Sequence, residues 1–187
     1  MEYQDPRELL VAIARELNGE KIPYFVTGGM AVFVWGRPRF TADIDIVVQL
    51  KERDIAGLLE VLRGLTKINY IDESALRRGL LQGGGFNFID GVSGIKADFL
   101  LPPPEDKNAE LEFKRRVVKD IGGEKVYFIS PEDLILRKAI WYRESESSKQ
   151  LEDIKSIFKN SGKNLDRVYL KKLAEKLDVL EILERCS

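Results

Sequence analysis

The 187-residue chain contains no histidine. That absence removes Ser–His–Asp and Cys–His nucleophilic catalysis, His-ligated zinc sites and any imidazole pH switch. Cysteine is almost as scarce. Cys186 is the only one, so neither a disulfide framework nor a thiolate metal site can be built. Any chemistry must fall to carboxylates, lysines, arginines, hydroxyls and backbone amides. No stretch approaches the ~18 consecutive apolar residues of a membrane span. The charged opening M-E-Y-Q-D-P-R-E also lacks the apolar run of a signal peptide. The expectation is a reduced, cytoplasmic protein with no membrane partner. An excess of one charge is missing as well: Lys plus Arg is 30 and Asp plus Glu is 31, a net charge of -1. Without a basic field, any nucleic-acid contact would need a local patch. Charged residues are nonetheless plentiful, at 33 % beside 44 % hydrophobic residues, which describes a folded domain with a highly ionised surface.

The length suits one domain, or one domain with a short helical extension. Asp5-Pro6-Arg7-Glu8 is a helix start, with Leu9, Leu10, Ile13 and Leu17 as its apolar stripe and Gly19 as its stop. A buried strand is expected at 22–27, a short helix at 30–35 and a second strand at 42–50. A helix at 51–63 should be capped by Gly64. A strand at 68–71 and a helix at 73–81 follow, with Gly83-Gly84-Gly85 as a flexible lead-in. The runs 86–89 and 95–101 flank Asp90-Gly91-Val92-Ser93-Gly94 as a hairpin. Residues 105–108 read as a mobile loop, and 117–121 with 125–129 as a second hairpin around Gly122-Gly123. From the Ser130 cap onward the chain reads as helical. The pattern is α+β: a core at 1–129 and an all-helical part at 130–187, packed on or beside it.

The chemistry concentrates between Thr27 and Val48. A strand runs into Gly28-Gly29 and a helix follows, so backbone N–H groups and a positive dipole end are offered where a phosphate could approach. In the strand Asp43-Ile44-Asp45, side chains alternate, placing both acids on one face and Ile44, Ile46 and Val48 on the other. Two such carboxylates repel unless a cation lies between them, and a hard divalent ion is the natural partner. The competing reading is a solvated edge strand. Arg39 and Thr41 share the same parity, Arg39 to meet phosphate oxygens or to pair with Asp43 or Asp45. Asp98 is a lone acid within an apolar strand, its neighbours Ala97 and Phe99 facing the other way. Asp90 is the next candidate should Asp98 face away. Lys138 is either a phosphate contact or a solvated helix lysine. Lys114-Arg115-Arg116 and Arg77-Arg78 read as solvated charges, and Trp35 and Trp141 as core or interface residues.

Gly28-Gly29, the spacer Met30 to Ala42 and Asp43-Ile44-Asp45 together resemble the signature of the polymerase-β-like nucleotidyltransferase superfamily. Residues 39–45, and Ser130-Pro131-Glu132-Asp133-Leu134 with Lys138, resemble its small bacterial and archaeal branch. That branch holds minimal nucleotidyltransferases and abortive-infection toxins of nucleotidyltransferase type. The resemblance spans about residues 5–160. It implies a nucleotidyltransferase-type mixed sheet flanked by helices. It also implies transfer of NMP from a nucleoside triphosphate, ATP among the candidates, to a hydroxyl, with release of pyrophosphate. Two Mg²⁺ or Mn²⁺ ions would be held by Asp43 and Asp45, with Asp98 as third carboxylate and base. Gly28 and Gly29 would cradle the triphosphate, with Arg39, Thr41 and Lys138 as further nucleotide contacts. The acceptor is open between a small molecule, a protein and a tRNA, and a small antitoxin-like partner is compatible. Two other readings compete: a non-catalytic or toxin–antitoxin partner that kept the fold, and a D-x-D glycosyltransferase. The second is disfavoured by the short chain before Asp43, the first by the presence of all three acids.

Overall fold

The computed structural model describes residues 3–186. Its first half runs α1 (Pro6–Gly19), β1 (Tyr24–Val26), α2 (Gly28–Trp35), β2 (Asp43–Val48), α3 (Ile55–Leu65), β3 (Asn69–Ile71) and α4 (Glu73–Gln82). Then come β4 (Gly84–Asp90), β5 (Lys96–Leu101), α5 (Lys107–Arg115), β6 (Val117–Ile121) and β7 (Glu124–Phe128). Helices α6 (Pro131–Ser145), α7 (Ser148–Ser161), α8 (Arg167–Lys176) and α9 (Leu180–Glu184) complete the described chain. The fold is α+β. Its strands form one mixed seven-stranded sheet in the order β3-β4-β5-β2-β1-β7-β6.

The central strands decide where the site lies. β1 runs antiparallel to β2, while β2 runs parallel to β5, so both begin at the same end of the sheet. β4 joins β5 antiparallel through the expected hairpin. β6 and β7 form the other hairpin, whose Gly122 and Gly123 both take positive φ, as a tight two-residue turn demands. Tyr24, Phe25, Phe86, Phe88, Phe99 and Phe128 are fully buried. The core is continuous from α1 through α9, so the helices after residue 130 share it with the sheet.

Some elements depart from the sequence reading. α2 begins at the glycines themselves, not at Met30. α3 passes through Gly64 and ends at Leu65, whose buried side chain anchors one further residue of helix. Gly84 and Gly85 are paired strand residues, not a flexible lead-in. A side chain at Gly85 would stand 2.7 Å from the Phe99 carbonyl oxygen. The segment expected to be a mobile loop starts α5 at Lys107. Its cap is Asp106, whose carboxylate accepts from the N–H groups of Asn108 and Ala109.

Candidate active site

The β2–β5 register sets Asp45 directly beside Asp98, and Asp43 beside Lys96. Ile44, Ile46, Ala97 and Phe99, of opposite parity, are fully buried beneath them. Asp43, Asp45 and Asp98 therefore share one face. Lys96 shares it too, its Nζ 2.8 Å from Asp98 Oδ2 and 3.8 Å from Asp43 Oδ1. Asn87 of β4 lies opposite Asp98 on the other side.

Asp45 leans onto the start of α2. Gly28 has φ +59°, and a Cβ there would sit 1.9 Å from Asp45 Oδ2. Only glycine satisfies both the backbone and the approaching carboxylate. The Gly29 N–H faces Asp45, and the Thr27 N–H donates to the Asp45 carbonyl at 2.9 Å. Burial raises the Asp45 pKa, as do Asp98 and Asp43; Lys138 and the Gly29 N–H work against the rise. Thr41 closes over Gly29 in the same way, its Oγ1 2.5 Å from where a Cβ would be. The room above both glycines is thus taken by side chains of the site. The Thr27 hydroxyl, wholly buried at the N-cap of α2, has no hydrogen-bond partner among the described residues.

Arg39 and Thr41 reach this region from an irregular segment, not from a strand. β2 starts only at Asp43, and Pro38 denies the ladder an N–H just upstream. Arg39 pairs with neither Asp43 nor Asp45. Its Nε and Nη2 each donate at 3.1 Å to Asp153 of α7, a residue the sequence reading did not select. Lys138 of α6 is not a solvated lysine: it is 3 % exposed, and its Nζ lies 2.9 Å from Asp153 Oδ2. Asp153 itself is fully buried. Burial alone would raise its pKa, but the donors from Arg39 and Lys138 prevail and hold it low. Burial pushes the Lys138 pKa down, and Asp153 opposes that. Two cations share one carboxylate here, leaving a positive surplus that Asp45 feels across the cleft. α7 also fixes the segment behind Arg39. Ser161 Oγ donates to the Trp35 carbonyl at 2.6 Å, the Asn160 amide donates to Gly36, and the Arg37 N–H donates to Ser156 Oγ.

Other candidates are occupied elsewhere. Asp90 caps its own turn, accepting from the Ser93 hydroxyl at 2.6 Å and the Val92 N–H at 3.2 Å. Ser130 and Asp133 cap α6, and Asp133 also accepts from the Tyr169 hydroxyl at 2.6 Å. Arg115 is no free surface charge: it pairs with Glu132 at 3.1 Å and lies over the Tyr169 ring. Trp35 donates its indole N–H to Ile129.

Lys96 and Asp153 were the residues that sequence reasoning missed. The signal for Lys96 is the parity that selected Asp98, two residues on. For Asp153 it is an acid on the apolar stripe that includes Ile154 and Ile157. As they stand, no three acidic side chains among the described residues converge closely enough to enclose an ion. Their chemistry nevertheless suits a hard cation: oxygen donors only, one of them held in an environment that disfavours its ionisation.

Among the described residues, no helix is long and apolar enough to cross a membrane. The chain is similar in fold to antibiotic-resistance factor ANT(2'')-Ia (TM-score 0.61, 16 % identity, 96 % of each chain covered). That protein has also been seen in complex with adenylyl-2''-tobramycin (TM-score 0.57, 18 % identity, 97 % and 98 % covered). An antigenic nucleotidyltransferase-like protein from Paracoccidioides brasiliensis is similar as well (TM-score 0.55, 19 % identity, 98 % and 94 % covered). So is a nucleotidyltransferase-type protein from Thermotoga maritima (TM-score 0.51, 19 % identity, 76 % of this chain and 88 % of that one). No curated protein matches the chain. A family description does: residues 8–183 match the nucleotidyl transferase AbiEii toxin of type IV toxin–antitoxin systems, and over that span the chain belongs to this nucleotidyltransferase family.

Proposed function

We propose that the chain transfers a nucleoside monophosphate from a nucleoside triphosphate to an acceptor hydroxyl, releasing pyrophosphate. The observation that carries this is the register of β2 on β5: it lays Asp45 against Asp98 at the mouth of the Gly28-Gly29 helix start. Asp43, Asp45 and Asp98 would hold divalent cations, Mg²⁺ or Mn²⁺, which when bound neutralise the triphosphate and assist the attacking oxygen. The rest is positioning by the chain itself. We read Asp98, beside Asp45 in the register, as the group that would take the proton of the incoming hydroxyl. The first turn of α2 offers its dipole end to the phosphates once Asp45 turns toward a cation. Arg39 and Lys138 supply fixed positive charge on the other flank. Both are braced by Asp153, so Arg39 loses little conformational entropy on meeting phosphate oxygens while buried Lys138 adds its charge from behind.

The acceptor is read only as a hydroxyl on a small molecule, a protein or a tRNA. The family description supports a role in a toxin–antitoxin pair, which we read as one beside a small antitoxin, and the protein is expected to act in the cytoplasm. The test is direct. Purified protein is incubated with each labelled nucleoside triphosphate, Mg²⁺ and, in turn, tRNA, cell-extract protein and aminoglycoside pools. Pyrophosphate release and label transfer are then measured. Transfer in one pool, abolished by Asp45→Asn, supports the reading. A folded protein that binds no nucleoside triphosphate with any divalent ion refutes it.

A further inference from the structure

The acid face carries its own cation. Lys96 faces the site because it shares the parity of Asp98 and lies beside Asp43 in the β2–β5 register. Its ammonium reaches both carboxylates, at 2.8 Å and 3.8 Å. Three acids on one face of two neighbouring strands would repel, and this lysine is the positive group that separates two of them. We propose that Lys96 is a built-in competitor for the divalent ion: its ammonium draws on the same oxygens of Asp43 and Asp98, and metal gains them only by displacing it. This rests on the metal-binding reading above and adds a regulator to it. A lysine ammonium is a compact point charge, and here it sits within ion-pair distance of both carboxylates. It stays half-exposed and on a flexible stem, so it can leave the pair without unfolding the strand. The site would then bind metal weakly by itself and better when a triphosphate brings more anionic charge.

The probe is Mn²⁺ alone, without nucleotide, titrated by calorimetry or electron paramagnetic resonance into the full chain. Lys96→Met should bind Mn²⁺ roughly tenfold more tightly than the parent. A unit charge a few ångströms from a divalent ion is worth about a decade in affinity even in a high-dielectric setting. Lys96→Arg, which keeps the charge, should remain near the parent. Equal or weaker binding by folded Lys96→Met overturns the inference. If the parent binds Mn²⁺ and loses it in Asp45→Asn, the metal reading survives that failure. If neither the parent nor Lys96→Met binds Mn²⁺ at millimolar concentration, the metal reading falls as well. Should Lys96→Met fail to fold, the parent supplies the second measurement. Acylation of the Lys96 amine, read by peptide mass spectrometry against exposed Lys171, should rise several-fold on saturation with Mg²⁺. Unchanged or reduced labelling overturns the competition.

Discussion

Asp153→Asn isolates the residue that ties the helical half to the acid face. The change preserves shape and one acceptor oxygen but removes the negative charge in contact with both Arg39 and Lys138. Arg39 is largely buried and can turn toward solvent. Lys138, at 3 % exposure, cannot follow without opening α6. Stranding a buried charge by deleting its partner typically costs about 3–5 kcal/mol. The retained amide oxygen and neutralisation of Lys138, whose pKa burial already lowers, should hold the loss near the lower end. For a chain of this size each kcal/mol moves the midpoint by roughly 2–4 °C, so a drop of about 6–12 °C is expected. Urea denaturation and thermal unfolding both read it. The double change Asp153→Leu with Lys138→Met should recover most of the loss, because a packed apolar pair replaces a buried ionic one. The pH dependence has a definite sign. Asp153 has a folded pKa below its ordinary value, so its contribution is complete above about pH 4 and is lost as pH falls further through the folded pKa. The parent should lose its advantage over Asp153→Asn only in that acid window. If Asp153→Asn is within about 1 kcal/mol of the parent at pH 7, the carboxylate is not holding the two cations, and the bracing argument fails.

Asp45 should behave oppositely to Asp153. Its folded pKa is raised, so its penalty builds as pH rises from the ordinary carboxylate value to the folded one and is complete above it; Asp45→Asn without metal should unfold at an equal or higher temperature at pH 7 while nucleotidyl transfer is lost. That gain should vanish below the ordinary carboxylate range, as differential scanning calorimetry across pH would show. Gly28→Ala should cost about 1–2 kcal/mol from its positive φ alone and should also push Asp45 aside, so Mn²⁺ affinity falls with stability; unchanged affinity would place the metal elsewhere. Asp98→Ala should lower Mg–nucleotide affinity only in part, since Asp43, Asp45 and the first turn of α2 remain, while turnover drops by about 10²–10⁴-fold; equal losses in binding and turnover would deny Asp98 the role of base.

The acid pair was legible because a strand has a period of two, and apolar neighbours reveal which face is core. The same rule gives Asp98, since Ala97 and Phe99 are both buried beside it. It fails for Arg39. Parity holds only while the chain stays extended, and Pro38 and the exposed Phe40 mark a segment outside the ladder. Asp153 is illegible as the partner of Arg39 because the two lie 114 residues apart, and no local pattern encodes that distance. α5 was missed for a different reason. Only Ala109, Glu112 and Phe113 are buried along it, so its apolar signal is thin, and its Asp106 cap follows three prolines that read as loop.

The helices after residue 130 share the core with the sheet, and their polar contacts act on the site. Asp153 fixes Arg39, Lys138 tempers Asp45, and Asn160, Ser156 and Ser161 hold the end of α2 and the start of the segment leading to Thr41. Thr41 in turn lies over Gly29. We therefore read the described residues 130–186 as the charge-balancing half of one site. On that reading the sheet supplies the three acids, and the helices supply Lys138 and, through Asp153, the brace for Arg39. The face that would take a metal nucleotide is then one where the two halves leave charges incompletely paired.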